Sequence, residues 1–152
     1  MYYPGASGGI WLDEQPKWPE QELGGMLMTA EMLEDGTAFP VMDGQAVFKK
    51  AVVKFPEVIA EALTKNNLTT LDINLLVPHQ ANLRISQFIQ KTLKLSDDQV
   101  FNNIQKYGNT TAASVPIALC EAWEAGKIKD GDLVCLAAFG AGFTWGSALI
   151  RW

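Results

Sequence analysis

The chain is short of the residues from which most active sites are built, with one histidine, His79, and two cysteines, Cys120 and Cys135. Cys120 falls in a helical pattern and Cys135 in a strand-like one, so they fit no metal-ligand spacing and no disulfide framework. A reducing cytoplasm is therefore the expected compartment, with buried, inert thiols and no metal. Long apolar runs are also missing, so no membrane span and no membrane partner is expected. The opening Met1-Tyr2-Tyr3-Pro4-Gly5 has neither the basic region nor the apolar core of a secretory leader. Basic residues are outnumbered, 12 Lys and Arg against 17 Asp and Glu, for a net charge of −5. Nucleic acid is not an expected partner, because phosphate neutralisation needs a basic surface. Local basic patches can still meet an acidic protein.

What the chain does have is 48% hydrophobic residues against only 19% charged ones in 152 positions, enough for a domain with a sizeable core. Residues 1–41 are crowded with Gly and Pro, which predicts loop with short strands and reads like the interior of a longer chain. From Asp43 or Gly44 as cap, Val47, Phe48, Ala51, Val52 and Phe55 recur at helical spacing. Pro56 is expected to kink or restart that helix, and Asn66-Asn67 to end it. Ile73 to Val77 reads as a buried strand. A helix from Asn82 to Leu93 is expected to bury Ile85, Phe88, Ile89 and Leu93, and a short strand lies near Val100-Phe101. Ser114 as N-cap, with Pro116 in the first turn, starts a helix through Ala118, Leu119, Ala122 and Trp123 that closes at Gly126. Leu133 to Phe139 and Phe143 to Trp152 form an antiparallel C-terminal hairpin across Gly140-Ala141-Gly142. The order predicts an α/β fold with a mixed sheet. Its central strands are apolar on both faces, so a large apolar surface should remain for another chain or a missing half to bury.

His79 stands where a strand gives way to a helix, the place where α/β folds present ligand-binding groups. A neutral imidazole there can hold a carbonyl or enolate oxygen through Nε2–H. Asn109, in Lys106-Tyr107-Gly108-Asn109-Thr110-Thr111-Ala112-Ala113-Ser114, is ordinary turn chemistry or a second donor to the same oxygen. Together they predict a two-donor oxyanion hole. The small residues of Phe139-Gly140-Ala141-Gly142-Phe143 would let backbone N–H groups approach a reacting acyl group. No nucleophile accompanies these donors.

Three runs, Val77-Pro78-His79-Gln80-Ala81-Asn82-Leu83-Arg84-Ile85, Tyr107-Gly108-Asn109-Thr110-Thr111-Ala112-Ala113-Ser114 and Phe139-Gly140-Ala141-Gly142-Phe143-Thr144-Trp145-Gly146-Ser147-Ala148, resemble the β-ketoacyl-acyl-carrier-protein synthase III enzymes. The resemblance covers residues 42–152 strongly and 1–41 loosely. It implies a thiolase-like half: a mixed five-stranded sheet with helices packed on it and a C-terminal antiparallel hairpin. Residues 1–41 would then continue from a missing N-terminal half, and 42–152 would be the C-terminal domain of a homodimeric enzyme. That enzyme starts fatty-acid synthesis by decarboxylative Claisen condensation of malonyl-acyl carrier protein with an acyl-CoA primer. Both are substrates, and no permanently bound cofactor is implied.

By the same resemblance His79 and Asn109 stabilise the malonyl enolate, the backbone N–H of Ala141 serves the oxyanion on the acyl-cysteine side, and Phe139 walls the site. Gln80, Ala81, Asn82, Leu83, Arg84 and Lys49 would contact acyl carrier protein; Arg84 and Lys49 are equally readable as ordinary solvated charges. Met42, Gly44, Phe48 and Ile85 match positions along the pantetheine tunnel, as do Ala81 and Asn82. The family's acylated cysteine has no counterpart here, so the chain alone is expected to be inactive. Two alternatives stay open: a non-catalytic, Cys-less ketosynthase partner subunit, and a Cys-His-Asn acyl hydrolase or transferase using Cys120 or Cys135.

Overall fold

The computed structural model describes residues 30–36, 42–140 and 143–152. They divide into two compact units, one with the described residues up to Val47 plus Gly140, Phe143 and Thr144, the other with 48–139 and 145–152. Of segment 1–41, only 30–36 is described, and it holds a short exposed helix, α1 (Ala30–Glu34), where loop and short strands were expected.

Helix α2 (Gly44–Lys65) begins as its sequence demands. The Asp43 carboxylate accepts the Gln45 and Ala46 N–H groups, each at 3.0 Å, satisfying donors that have no partner within the helix. Ala51, Phe55, Ile59 and Leu63, four residues apart, form its buried stripe. Pro56 does not restart the helix, which runs unbroken through it and forgoes one backbone hydrogen bond. Asn67, left-handed at φ 56°, turns the chain out of it.

Strand β1 (Leu75–Pro78) is buried along its whole length. It leads into α3 (Leu83–Leu93), capped by Asn82, whose side chain accepts Arg84 N–H at 2.9 Å. Ile85, Ser86, Ile89 and Leu93 face inward, whereas Phe88, expected in the core, is 44% exposed. A four-residue helix, α4 (Ile104–Tyr107), and a 3-10 turn (Thr111–Ala113) precede α5 (Ser114–Glu124). The N-cap of α5 is Ala113, not Ser114.

Strands β2 (Leu133–Gly140) and β3 (Thr144–Arg151) complete a sheet ordered β1-β2-β3. β1 and β2 are parallel, with Leu75 opposite Val134 and Pro78 opposite Ala137. β3 returns antiparallel: Gly131 N–H donates to Trp152 O and Trp152 N–H to Asp132 O, each at 2.9 Å, closing the open end of the hairpin. The sheet is mixed, as expected, but three strands are described where five were expected. Val100 contributes only an isolated parallel bridge to Leu76.

Side-chain alternation assigns the two faces. Leu75, Val77 and Val134 pack with Ala118 and Ala122 of α5 and with Ile128, and the small alanines let the helix approach the strands closely. On the other face, Phe139 stacks on Phe55 of α2 with ring centroids 6.3 Å apart. Burial of each large side chain such as Ile59 stabilises by roughly 1.5–3 kcal/mol. The outer side of α5 remains apolar and open. Pro116, Leu119, Cys120 and Trp123 line, with Trp152, a groove of about 330 Å³. Among the described residues, no helix is long and apolar enough to cross a membrane.

Candidate active site

His79 follows β1 at the carboxyl edge of two parallel strands, where open α/β sheets bind ligands. Its backbone N–H prolongs the ladder, donating to Ala137 O at 2.8 Å, so the strand sets the height of the ring. Continued alternation puts the side chain on the face of Leu75 and Val77, under α5. There Nδ1 is in hydrogen-bond contact with the hydroxyl of Ser114, the first residue of α5. The same oxygen accepts Gln80 N–H at 3.3 Å. The ring is half-buried, and burial pushes its pKa below the ordinary 6.5, favouring neutral imidazole.

Gln80 is only 3% exposed. Its amide donates to Pro78 O at 2.7 Å and to Phe101 O at 3.4 Å. Its oxygen accepts Asn103 N–H at 3.0 Å and Ile104 N–H at 3.1 Å. The amide's donors and acceptor are thus all engaged inside the chain. The side chain placed by resemblance among the carrier contacts is an internal clasp that joins the end of β1 to the start of α4.

Asn109 lies just beyond α4. Gly108, at φ 69° and ψ −159°, occupies backbone space that is essentially glycine's alone. A Cβ there would meet nothing within 4 Å, so the requirement is torsional rather than spatial. The Asn109 side-chain oxygen accepts Thr111 N–H at 2.9 Å, which leaves the amide hydrogens as what this exposed side chain offers. Thr111 is itself left-handed at φ 53°, an uncommon state for a β-branched residue. The next turn runs straight into Ser114. The His79 and Asn109 segments are therefore tied together through the first residue of α5.

Phe139 is buried between Phe55 and Trp145, parallel to the latter within 8° at 6.3 Å, and Lys54 Nζ lies 5.1 Å from the Trp145 ring centre. The Arg84 guanidinium rests 5.8 Å from the Phe48 ring centre, bringing a carrier candidate onto a tunnel candidate. Ala81, Asn82, Leu83, Arg84 and Lys49 are exposed, Ile85 is buried, Met42 is 74% exposed, and Gly44 is the exposed first residue of α2. Ala141 lies outside the described residues.

The cysteines separate. Cys135 is fully buried, and burial pushes its thiol up to about 12. Cys120, expected to be buried, is exposed, with Sγ 3.7 Å from Glu124 Oε1, and the Glu124 charge raises its pKa. Neither favours a thiolate, the form a nucleophile needs. Among the described residues, no group of three His, Cys, Asp or Glu side chains comes together to hold a metal ion.

The sequence reading missed Ser114 as a partner of His79, having assigned its hydroxyl to a helix cap. It also missed Glu121. This carboxylate accepts from Lys106, Tyr107 and Asn103, and the signal available was an acidic residue one turn before the end of a helix that faces a Lys-Tyr pair.

Comparison with known proteins places residues 63–152 within the family described as 3-oxoacyl-[acyl-carrier-protein] synthase III, C terminal. The β-ketoacyl-[acyl-carrier-protein] synthase III of Microcystis aeruginosa is 50% identical over 121 residues, 79% of this chain and 36% of its own length. That of Clostridioides difficile is 54% identical over 111 residues, 73% of this chain and 34% of its own. Among solved structures, 3-oxoacyl-[acyl-carrier-protein] synthase III from Aquifex aeolicus superposes with a TM-score of 0.74 at 46% identity, covering 78% of this chain and 38% of that one. The chain therefore spans about a third of the length of the relatives it matches.

Proposed function

This chain belongs to the 3-oxoacyl-[acyl-carrier-protein] synthase III family, matching its C-terminal part, and from that premise we propose that it supplies the enolate-stabilising donors of a condensing enzyme that starts fatty-acid synthesis. The observation that carries this reading is the pairing of His79 Nδ1 with the Ser114 hydroxyl. Gln80 N–H occupies one lone pair of that oxygen, and in this reading the hydroxyl hydrogen donates to Nδ1. The imidazole proton is then on Nε2, and burial keeps the ring neutral. A neutral ring with its proton on Nε2 is a hydrogen-bond donor rather than a base.

In the reaction we assign, malonyl-acyl carrier protein places its thioester oxygen against His79 Nε2–H and the Asn109 amide. The bond between the α-carbon and the carboxylate breaks, carbon dioxide leaves, and its electron pair passes into the enolate held by both donors. The α-carbon then attacks a primer acyl group carried on a cysteine of the N-terminal part, and that cysteine thiolate is the leaving group. The chain by itself is inactive in condensation, since neither Cys120 nor Cys135 is disposed to ionise. Arg84 and Lys49 form the cationic face for the acidic carrier, in the cytoplasm; Gln80 is left out of that face because its amide is engaged within the chain. The N-terminal part and a second copy complete the enzyme.

The test is malonyl-carrier decarboxylation by the complete synthase, in which this segment is joined to its N-terminal part, carrying His79→Ala or Asn109→Ala. Each is expected to lose roughly 10²–10³-fold, the usual cost of one oxyanion donor. Wild-type rates in both would refute the assignment.

A further inference from the structure

Three donors converge on the carboxylate of Glu121. Oε1 accepts from Lys106 Nζ and from the Tyr107 hydroxyl, and Oε2 accepts from Asn103 Nδ2 at 2.8 Å. All three belong to α4 or to the residue that precedes it. That helix has four residues, far too few to hold its shape alone. Its position is set from outside, by Gln80 on the Asn103 and Ile104 N–H groups and by Glu121 on the side chains. Asn109 follows immediately, through the glycine-only turn at Gly108.

We infer that Glu121 is a positioning residue for Asn109, holding α4 against α5 so that the Asn109 carboxamide is delivered to the reacting oxygen. The inference rests on the enolate role proposed for Asn109. Stability accounts for only part of this node: the buried Asn103 amide needs its acceptor, but the ion pair beside it adds little. The Lys106 and Glu121 side chains are 62% and 21% exposed, and such surface ion pairs contribute little to folding. The hydrogen bonds from Lys106, Tyr107 and Asn103 lower the Glu121 pKa to about 2, so the three-way acceptor persists at any working pH. Lys106 also lies 4.7 Å from the Tyr107 ring centre, which keeps the two donors together.

The experiment uses the complete synthase with Glu121→Ala, Asn109→Ala and the double variant. It measures malonyl-carrier decarboxylation and, separately, primer transfer to the nucleophile. Glu121→Ala is expected to slow decarboxylation by about tenfold or more and to leave primer transfer within about twofold. In the Asn109→Ala background it should add less than about twofold, because a residue acting through another is non-additive with it. A full additional loss in that background, an equal loss in both half-reactions, or wild-type decarboxylation in Glu121→Ala would overturn the inference while leaving an impaired Asn109→Ala intact. Failure of the underlying reading shows separately, as wild-type decarboxylation in Asn109→Ala alone. Should Glu121→Ala not fold, Glu121→Gln keeps the length and one acceptor oxygen. It is expected to lose about threefold with the same non-additivity, and a wild-type rate there counts against the role.

Discussion

The His79 ring and the Ser114 hydroxyl, 35 residues apart in sequence, are hydrogen-bonded at the meeting of the β1 carboxyl edge and the α5 amino end. That oxygen also holds Gln80 N–H, so Ser114→Ala removes the ring's orienting partner and strips a buried donor at once. The expected outcome is a loss of about 1–1.5 kcal/mol in orienting the ring, read as decarboxylation slowed by about tenfold. Ser114→Thr, which keeps the hydroxyl, is expected to recover much of the rate. Equal rates for Ser114→Ala and wild type would mean that the tautomer is fixed by something else.

Burial of His79 has a consequence for pH. Its folded pKa lies below the ordinary 6.5 because burial disfavours the imidazolium. Below 6.5 the unfolded chain therefore binds the proton more readily than the folded one. Stability linked to the neutral ring is complete above that value and lost as pH falls toward the lower folded value. Thermal midpoints of wild type and His79→Gln, followed from about pH 8 to about pH 5, isolate this contribution. The wild-type curve should fall more steeply on the acid side. Parallel curves would show a ring as readily protonated as in water.

Much of the scaffold was legible because its signals are local. Asp43 caps the very N–H groups its position implied, the four-residue stripe of α2 faces inward, and the C-terminal strands return on each other. What escaped was tertiary. A Ser before a helix satisfies the local capping pattern, and nothing nearby announces that its hydroxyl serves a histidine 35 residues away. Phe88 fits an apolar stripe yet is 44% exposed, since α3 turns Ile85 and Ile89 inward instead. Cys120 has apolar sequence neighbours but lies on the open side of α5, in the groove with Trp123 and Trp152. The roles proposed for His79 and Asn109 are suggested only by the long runs around them, since a lone His and a Gly-Asn turn have ordinary structural uses.

Gly108 separates torsional from steric demand. With open space around its Cα, Gly108→Ala meets no clash, and its cost is the backbone strain of about 1–3 kcal/mol. A chain relieving that strain would rotate at the turn that delivers Asn109. Decarboxylation should fall by more than the loss in urea midpoint accounts for. A drop in stability with an unchanged rate would uncouple the turn from the carboxamide.

Gln80 and Arg84, neighbours in one sequence run, should fail in different ways. Gln80→Leu leaves the buried Asn103 N–H without its acceptor, at about 1–3 kcal/mol, and the half-buried Ile104 N–H as well, at less. The urea midpoint should drop clearly, and the KM for carrier should follow only as far as folding does. Arg84 is exposed and rests on Phe48, so Arg84→Glu should leave the midpoint near wild type. Its KM for acyl carrier protein should rise by about tenfold at low salt, shrinking as salt is added. A salt-independent KM would assign Arg84 to the solvated surface.

The two thiols test the hydrolase alternative directly. Cys135 is sealed in β2 with its pKa pushed to about 12, and Cys120 is exposed but held protonated by Glu124. In the native chain, alkylation near neutral pH should modify Cys120 slowly and Cys135 not at all, with both reacting once urea exposes them; intact mass resolves the adducts. Glu124→Gln removes the first-named cause of the raised Cys120 pKa and should speed its labelling. In the complete synthase, Cys120→Ser should leave condensation within about twofold of wild type, as a thiol outside the reaction must. Loss of condensation in that variant, with folding intact, would make Cys120 a participant and revive a nucleophile within this chain. An unchanged rate excludes Cys120 as the nucleophile and fits the proposed reading, in which the acyl-carrying thiol comes from outside this chain.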